Sequence, residues 1–269
     1  MDRYNRIMRC LQEHYNEALE YFPKERIVGI FLQGSQNYGL DYEFSDIDTK
    51  LIVVPSFEDI VLNRKPVSTT HIRKNDEHID FKDVRLYMET FRKQNLNFLE
   101  ILFTPFKIIN PMYEAEWERL IESNELIARM NEYRAVKSMK GVGLEKFHAM
   151  EHPYPSKLEI LEKFGYDPKQ LHHLLRVEHY LERYIYGDLY KDCLLPEAEM
   201  RDYLLEVKRG KYSLEEAREV AKKSLEHLTA LADNFCAERE DMEQNWIRCL
   251  LEDVQTNIMK IAIKEELAE

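Results

Sequence analysis

Cysteine is scarce in this chain of 269 residues, and its four cysteines are widely spaced. Cys10, Cys193, Cys236 and Cys249 include no Cys-x-x-Cys pair, which argues against a zinc knuckle or a dithiol redox motif. We therefore expect reduced, mostly buried thiols.

Long apolar runs are absent as well. No stretch approaches the ~20 consecutive apolar residues that cross a bilayer. The first 22 residues carry charges throughout, where a signal peptide would need an apolar core. With 44% hydrophobic and 33% charged residues, the composition is typical of soluble globular proteins. We expect a cytoplasmic protein without a membrane partner.

Basic residues are outnumbered, since 38 Lys and Arg face 50 Asp and Glu, for a net charge of −12. Phosphate neutralisation needs clustered Lys and Arg, so this balance argues against a surface devoted wholly to nucleic acid. It leaves a local basic groove open. Internal repeats and low-complexity tracts are also missing, which argues against a solenoid.

The apolar pattern predicts an α+β protein, with a small mixed β-sheet domain at residues 1–110 and an all-helical domain at residues 111–269. The boundary falls near Pro111, and from Asn110 onward almost every segment has helical periodicity. The predicted elements of the first domain are a helix over 3–22, strands over 26–33 and 47–54, a hairpin of 67–72 with 77–81, and a helix over 84–103.

Two short motifs flank the first two predicted strands. Gly34-Ser35 breaks the first strand into a turn whose backbone N–H groups can hold phosphate oxygens. Asp46 and Asp48 open the second strand and project from one face, while Ile47 points into the core. Two such carboxylates can share two Mg²⁺ ions, which stabilise the attacking and leaving oxygens of a phosphoryl transfer. The structural alternative is an ordinary turn followed by a capping or surface Ser-Asp pair.

Gly34-Ser35 followed by Ser45-Asp46-Ile47-Asp48 is similar to the signature of the DNA polymerase β nucleotidyltransferase superfamily. The resemblance implies transfer of a nucleoside monophosphate from an NTP, such as ATP, to a hydroxyl with release of pyrophosphate. It implies two Mg²⁺ ions, with Mn²⁺ as an alternative, bound by Asp46 and Asp48. Gly34, Ser35 and Ser45 would then bind the nucleotide.

The superfamily usually adds a third acidic residue from a later strand. Among the acidic residues at 76–83, alternation places Asp80 on the side away from the buried Ile79 and Phe81. Asp83 precedes the helix that begins at Val84, where an aspartate is a favoured N-cap. We therefore expect Asp80 to be the third metal ligand and catalytic carboxylate, with Asp83 as the alternative.

Three further segments resemble a bacterial and phage family of predicted nucleotidyltransferases that has RNA-repair-associated members. They are Lys163 to Arg176, with its Gly-Tyr-Asp start, Asn95 to Phe103, and Gly210 to Ser213. Leu96 departs from the family, which usually has proline there. The resemblance spans most of the chain, although only the first motif is chemically diagnostic.

Basic side chains on the predicted helix after Pro168 form one stripe. Lys169, His173 and Arg176 are spaced at i, i+4 and i+7, so they can face one surface and bind the triphosphate of the NTP. Charge stabilisation of the leaving pyrophosphate requires such cations. The alternative is a solvated edge in which Arg176 pairs with Glu178 or Glu182.

The loop between the two motifs carries Tyr38 and Tyr42. These rings can contact a nucleobase or can pin the loop. The sequence favours neither interpretation.

Taken together, the motifs predict an NTP lying in the cleft between the two domains. The acceptor would be an RNA 3′ end, a protein side chain or a small molecule. A non-catalytic binding or regulatory protein with this fold, such as an antitoxin-like partner, is the alternative. The acidic pair argues against it, because clustered carboxylates repel one another without metal. NTP preference and oligomeric state are not indicated by the sequence.

Overall fold

A mixed sheet of five strands and a set of thirteen α-helices make up the part of the chain that the computed structural model describes, residues 2–42 and 45–268. The strands are β1 (Ile27–Gln33), β2 (Asp48–Val53), β3 (Ser68–Ile72), β4 (His78–Asp83) and β5 (Lys107–Ile109). Their order in the sheet is β3-β4-β2-β1-β5, with β2 and β4 parallel and the other neighbours antiparallel. The predicted α+β class is confirmed.

The helices follow one another almost without interruption after the sheet. They are α1 (Arg3–Ala18), α2 (Phe57–Val61), α3 (Val84–Arg92), α4 (Leu96–Leu99), α5 (Glu114–Glu122), α6 (Asn124–Ala128), α7 (Glu132–Ala149), α8 (Leu158–Phe164), α9 (Pro168–Tyr186), α10 (Tyr190–Leu194), α11 (Ala198–Lys208), α12 (Leu214–Ala237) and α13 (Asn245–Glu266). No helix among the described residues is long and apolar enough to cross a membrane.

The chain divides into two compact units. The sheet unit comprises Met1–Asn37, Asp41–Met130 and Glu243–Glu269, and the helical unit comprises Tyr38–Leu40 and Asn131–Met242. The sheet unit therefore extends past the predicted boundary at residue 110. It does so because α13 returns to pack against α3 and α5. This long-range packing has no signal in local periodicity.

Helix α1 covers one face of the sheet. Its inward side chains, including Tyr15 and Ala18, join apolar strand residues in one buried cluster. Burial of such side chains contributes roughly 1.5–3 kcal/mol each relative to exposure. Since strand side chains alternate, Asp48 and Lys50 of β2 and His78 and Asp80 of β4 lie on the opposite face. The strand residues of the cluster are Ile27, Ile30, Leu51, Val53, Ile79 and Phe81.

A buried ionic network fastens α1 to the β3–β4 hairpin. His14 is fully buried, and its ring nitrogens lie 2.9 Å from Thr49 Oγ1 and 3.0 Å from Glu77 Oε2. Arg73 donates to Glu77 at 2.6 Å and to Glu17 at 2.8 Å. Burial alone would raise the pKa of Glu77, but hydrogen bonds, the strongest from His14, lower that pKa to about 2. The ionised carboxylate is therefore the stabilising form.

The helical unit packs α7, α9, α11 and α12 against one another. Gly143 allows α7 to approach α12 closely, because a Cβ there would lie 2.1 Å from a Leu228 methyl carbon. Ser213 caps α12 in a capping box with Glu216, so each side chain bonds the other residue's backbone N–H. From Asn131 to Met242 its elements are helices, in agreement with the helical pattern that the sequence shows from Asn110 onward.

The structure differs from the prediction in one helix and in one additional strand. The helix expected over 84–103 is two helices, α3 and α4, because Gln94 adopts a positive φ of 55° between them. Strand β5 has only three residues, too few for a recognisable alternation, and the sequence pattern misses it. It adds the edge of the sheet beside β1.

Replacing Glu77 with glutamine tests the ionic network. Because its pKa is depressed from its ordinary 4.5, the Glu77 carboxylate stabilises the fold above about pH 4.5, and this contribution is lost as the pH falls towards 2. We expect Glu77→Gln to lower the free energy of unfolding at pH 7 by up to about 3 kcal/mol. The free energy of unfolding, measured with urea at a series of pH values, should fall less steeply for the variant than for the wild type as the pH is lowered from about 4.5 towards 2.

Glu13→Gln on the exposed side of α1 is the matched control. Glu13 lies 3.7 Å from Arg9 in an exposed pair, so its loss should cost only about 0–1 kcal/mol. If the free energy of unfolding depended on pH in the same way for wild type and Glu77→Gln, the stabilising role given to the ionised Glu77 would be contradicted.

Candidate functional site

The glycine turn and the acidic pair meet at one end of the two central strands. In the antiparallel register of β1 and β2, Gln33 lies opposite Asp48. The next residue, Gly34, has φ +90° and no atom within 4 Å of the position of a Cβ. Its conformation, which glycine adopts without strain, turns the chain into a short 3-10 segment, Ser35–Tyr38. The turn therefore begins directly beside Asp48.

A buried carboxylate holds the glycine turn. The Gly34 N–H donates to Glu100 Oε1 at 3.1 Å, and Glu100 is only 6% exposed. Sequence reasoning singled out the segment Asn95 to Phe103 but gave Glu100 no role. A charged residue between the apolar Leu99 and Ile101 is the signal that was available.

Asp46 and Asp48 differ in their surroundings. Asp46 is exposed and precedes β2, whose first residue is Asp48, so the strand starts later than predicted. The Asp48 side chain is 39% exposed, and its Oδ1 accepts from the His78 backbone N–H at 2.9 Å and lies 3.1 Å from His78 Nδ1. These bonds orient the Asp48 carboxylate at the sheet edge.

Ser45, predicted to bind nucleotide, has a local partner. Its hydroxyl oxygen accepts from the Tyr42 backbone N–H at 2.7 Å, and its carbonyl accepts from Gln36 at 3.4 Å. These bonds tie Ser45 to Gln36 and Tyr42.

Asp80 lies beside Lys50. The parallel register of β2 and β4 pairs Lys50 with Asp80, two residues further along β2 than Asp48. Lys50 Nζ is 3.3 Å from Asp80 Oδ2, and Thr70 donates to the other oxygen at 3.3 Å. The predicted third ligand therefore already neutralises a lysine.

Lys50 is almost completely buried at 2% exposure, and its Nζ lies 4.0 Å from the centre of the Phe98 ring. Burial lowers the pKa of Lys50, while the attraction and hydrogen bond of Asp80 act in the opposite direction. The aromatic ring offers the ammonium a further favourable contact. Sequence reasoning did not identify Lys50, although its two-residue spacing from Asp48 places it on the same face.

Asp83 has the structural role that the sequence favoured for it. It caps α3, accepting from the Arg85 backbone N–H at 2.8 Å, and it pairs with the Arg85 guanidinium. It is 1% exposed.

The three predicted carboxylates lie on two neighbouring strands, with Asp46 just before β2, Asp48 at its start and Asp80 in β4. Over residues 2–42 and 45–268, no group of three or more His, Cys, Asp or Glu side chains is placed to hold a metal ion. The two-ion centre with Asp80 as its third carboxylate stays a prediction, and in this structure Asp80 is engaged by Lys50. Asp46 and Asp48 offer oxygen donors for a single hard cation.

The predicted basic stripe lies on α9 in the helical unit. Lys169 is exposed, and Arg176 stacks on Tyr38 with its guanidinium carbon 3.7 Å from the ring centre. Burial, followed by the electrostatic influence of His172 and then of Arg176 and Lys169, holds the pKa of His173 well below its ordinary value. Tyr38 is 5% exposed, so its ring is covered by protein and pins its segment. Binding of the triphosphate by this stripe stays a prediction.

The sheet order and its polar edge define a class: an α+β protein with a glycine turn and an acidic pair at the ends of adjacent strands. The chain is similar to a crystal structure of a nucleotidyltransferase-like protein from Exiguobacterium sibiricum 255-15, with 14% identity and a TM-score of 0.33. The similarity covers 94% of this chain and 89% of that one. No protein-family model and no curated protein matches the sequence. Function must therefore be inferred from the residues of the site itself.

Asp80→Asn distinguishes an ion-pair role from a metal-ligand role without any metal. If Asp80 mainly neutralises buried Lys50, the variant should lose about 1–3 kcal/mol of unfolding free energy, because a buried ammonium loses its counter-charge. If Asp80 instead crowded Asp46 and Asp48, the substitution would relieve repulsion and stabilise the protein. Urea unfolding in the presence of a chelator shows whether Asp80→Asn raises or lowers the free energy of unfolding.

Asp76→Asn in the β3–β4 turn is the matched control. Asp76 has φ +63°, which asparagine tolerates, so we expect a change within about 0.5 kcal/mol. A stabilised Asp80→Asn protein would refute the assignment of Asp80 to Lys50.

Proposed function

We propose that this protein is a nucleotidyltransferase that moves a nucleoside monophosphate from an NTP to an acceptor hydroxyl and releases pyrophosphate. The observation that carries the proposal is the pairing of Gln33 with Asp48, which brings the Gly34-Ser35 turn next to the acidic pair. A phosphate-binding turn and a cation-binding pair are the two parts that phosphoryl transfer needs side by side.

Asp46 and Asp48 would hold one divalent cation, Mg²⁺ or alternatively Mn²⁺. Both contacts that Asp48 makes with His78 fall on Oδ1, which leaves Oδ2 as the oxygen proposed for the cation. When bound, the ion would neutralise phosphate charge and polarise the phosphorus centre. His78 would keep the Asp48 carboxylate in the orientation that the ion requires.

The turn would position the phosphates. Because the Gly34 N–H already donates to Glu100, the proposed phosphate donors are the N–H and hydroxyl of Ser35. Glu100 would act by fixing the turn rather than by touching the nucleotide. Ser45 would support the site through its bond to Tyr42.

The acceptor is proposed to be an RNA 3′ end, a protein side chain or a small molecule, since the site geometry constrains the donor nucleotide and not the attacking hydroxyl. A second candidate is a non-catalytic nucleotide-binding or regulatory protein. The Lys50–Asp80 pair favours it, because a carboxylate that the enzyme hypothesis assigned to catalysis is satisfied internally.

Removing either member of the acidic pair should abolish transfer. We expect Asp46→Ala and Asp48→Ala each to reduce label transfer from an NTP by at least ~100-fold, since charge stabilisation of this kind is worth about 10²–10³ in rate. The assay incubates the protein with Mg²⁺, each labelled NTP and total RNA. It measures acceptor labelling and pyrophosphate release.

Asp202→Ala on exposed α11 is the control, because Asp202 lies in the helical unit and pairs only loosely with Arg201, at 3.4 Å. It should retain full activity. NTP binding that requires Mg²⁺ but gives no transfer would favour the regulatory candidate, and absence of both binding and transfer would remove the enzyme proposal.

Gly34→Ala tests the turn, with Gly187→Ala as its match. Both glycines have φ near +90° and no atom within 4 Å of a Cβ position, so both variants should lose about 1 kcal/mol of stability through backbone strain alone. Only Gly34→Ala should also weaken NTP binding, by at least ~10-fold. Alanine disfavours the positive φ at this position, so the turn would change shape and move the proposed phosphate donors of Ser35. Fluorescent-NTP titration measures the affinity, and equal affinities in the two variants would contradict the role of the turn.

A further inference from the structure

Lys50 is a buried cation on the same face of the sheet as the acidic pair. It follows Asp48 by two positions in β2, so strand alternation places both side chains on one side. Lysine is almost never fully buried unless it is paired. Lys50 is paired with Asp80 at 3.3 Å and stacks over Phe98 at 4.0 Å.

The neighbouring strand β4 carries a second ammonium group on the same face, that of Lys82. Lys82 follows Asp80 by two positions in β4 and lies 4.8 Å from the same Phe98 ring. Its partner is the Ser68 hydroxyl at 3.2 Å rather than a carboxylate. The face that continues from Asp48 therefore carries two ammonium groups, those of Lys50 and Lys82, beside the Asp80 carboxylate.

These contacts leave little freedom for Lys50 to withdraw. Its ammonium is enclosed by Asp80 and by Phe98, whose ring packs edge-on against the buried Tyr87. A divalent cation bound to Asp80 would have to share the same carboxylate with the Lys50 ammonium. Repulsion between the two cations in a partly buried site opposes such binding.

We infer that the Lys50 ammonium, held by Asp80 and Phe98, supplies the positive charge that a second divalent ion would otherwise bring, so that the protein binds one divalent ion with its nucleotide. The inference rests on the proposed function for the location of that ion at Asp46 and Asp48. In this inference Asp80 holds the Lys50 ammonium in place. Lys50 supplies positive charge at a fixed position and does not itself react.

Counting bound Mn²⁺ tests the inference directly. Electron paramagnetic resonance of free Mn²⁺, in the presence of a saturating NTP analogue with a non-hydrolysable α,β bridge, reports the number of ions bound per chain. We expect one ion in the wild type. Lys50→Met should bind two, because removal of the ammonium makes the Asp80 carboxylate available to a cation.

Two further variants separate this effect from a general change in the site. Lys82→Met removes the other ammonium over Phe98 without releasing a carboxylate and should still bind one ion. The double variant Lys50→Met/Asp80→Asn should return to one ion, because the released ligand is gone. Circular dichroism melting establishes that each variant is folded at the titration temperature.

The outcomes distinguish this inference from the proposed function. Two ions in the wild type would overturn the inference and leave nucleotidyl transfer intact, and this count does not depend on whether Lys50→Met folds. One ion in a folded Lys50→Met protein would also overturn it, since the pair would then be merely structural. Absence of both Mn²⁺ and analogue binding in the wild type would instead refute the proposed function.

Discussion

The pairing of strand β2 with β1 on one side and β4 on the other is the constraint on which the candidate site depends. Antiparallel pairing with β1 brings the end of that strand, and hence the Gly34 turn, to Asp48. Parallel pairing with β4 brings His78 and Asp80 to the same face. A shift of one residue in either register would send these side chains into the apolar core beneath α1, so core packing and site geometry are specified together.

The carboxylates near this edge are each held by a specific donor. Asp48 accepts from His78, Asp80 from Lys50, and Glu100 from the N–H of the glycine turn. Partly buried carboxylates that lack such donors would repel one another and would be costly to desolvate. The arrangement therefore accommodates Asp48, Asp80 and Glu100 at this end of the sheet in a stable fold.

The elements that repeat a local pattern could be predicted from the sequence, and the contacts made across the sheet could not. Periodicity predicts strands β1 to β4 and most helices but not β5, and the conformational freedom of glycine predicts the turn at Gly34. Alternation places Asp80 on the correct face but cannot say that β2 and β4 are parallel with Lys50 opposite Asp80, because register is a long-range property. The bond from Glu100 to the turn joins positions 66 residues apart, beyond any local pattern.

Charge on the site face explains why a single ion could suffice. The three carboxylates of Asp46, Asp48 and Asp80 outnumber the ammonium groups of Lys50 and Lys82 by one, in a protein whose net charge is −12. A triphosphate would therefore meet weak repulsion on this face without metal. One divalent ion at the acidic pair reverses the sign of the local charge. A second ion would add charge next to an ammonium that Asp80 already holds in place, at a growing cost in repulsion and with little further gain in attraction.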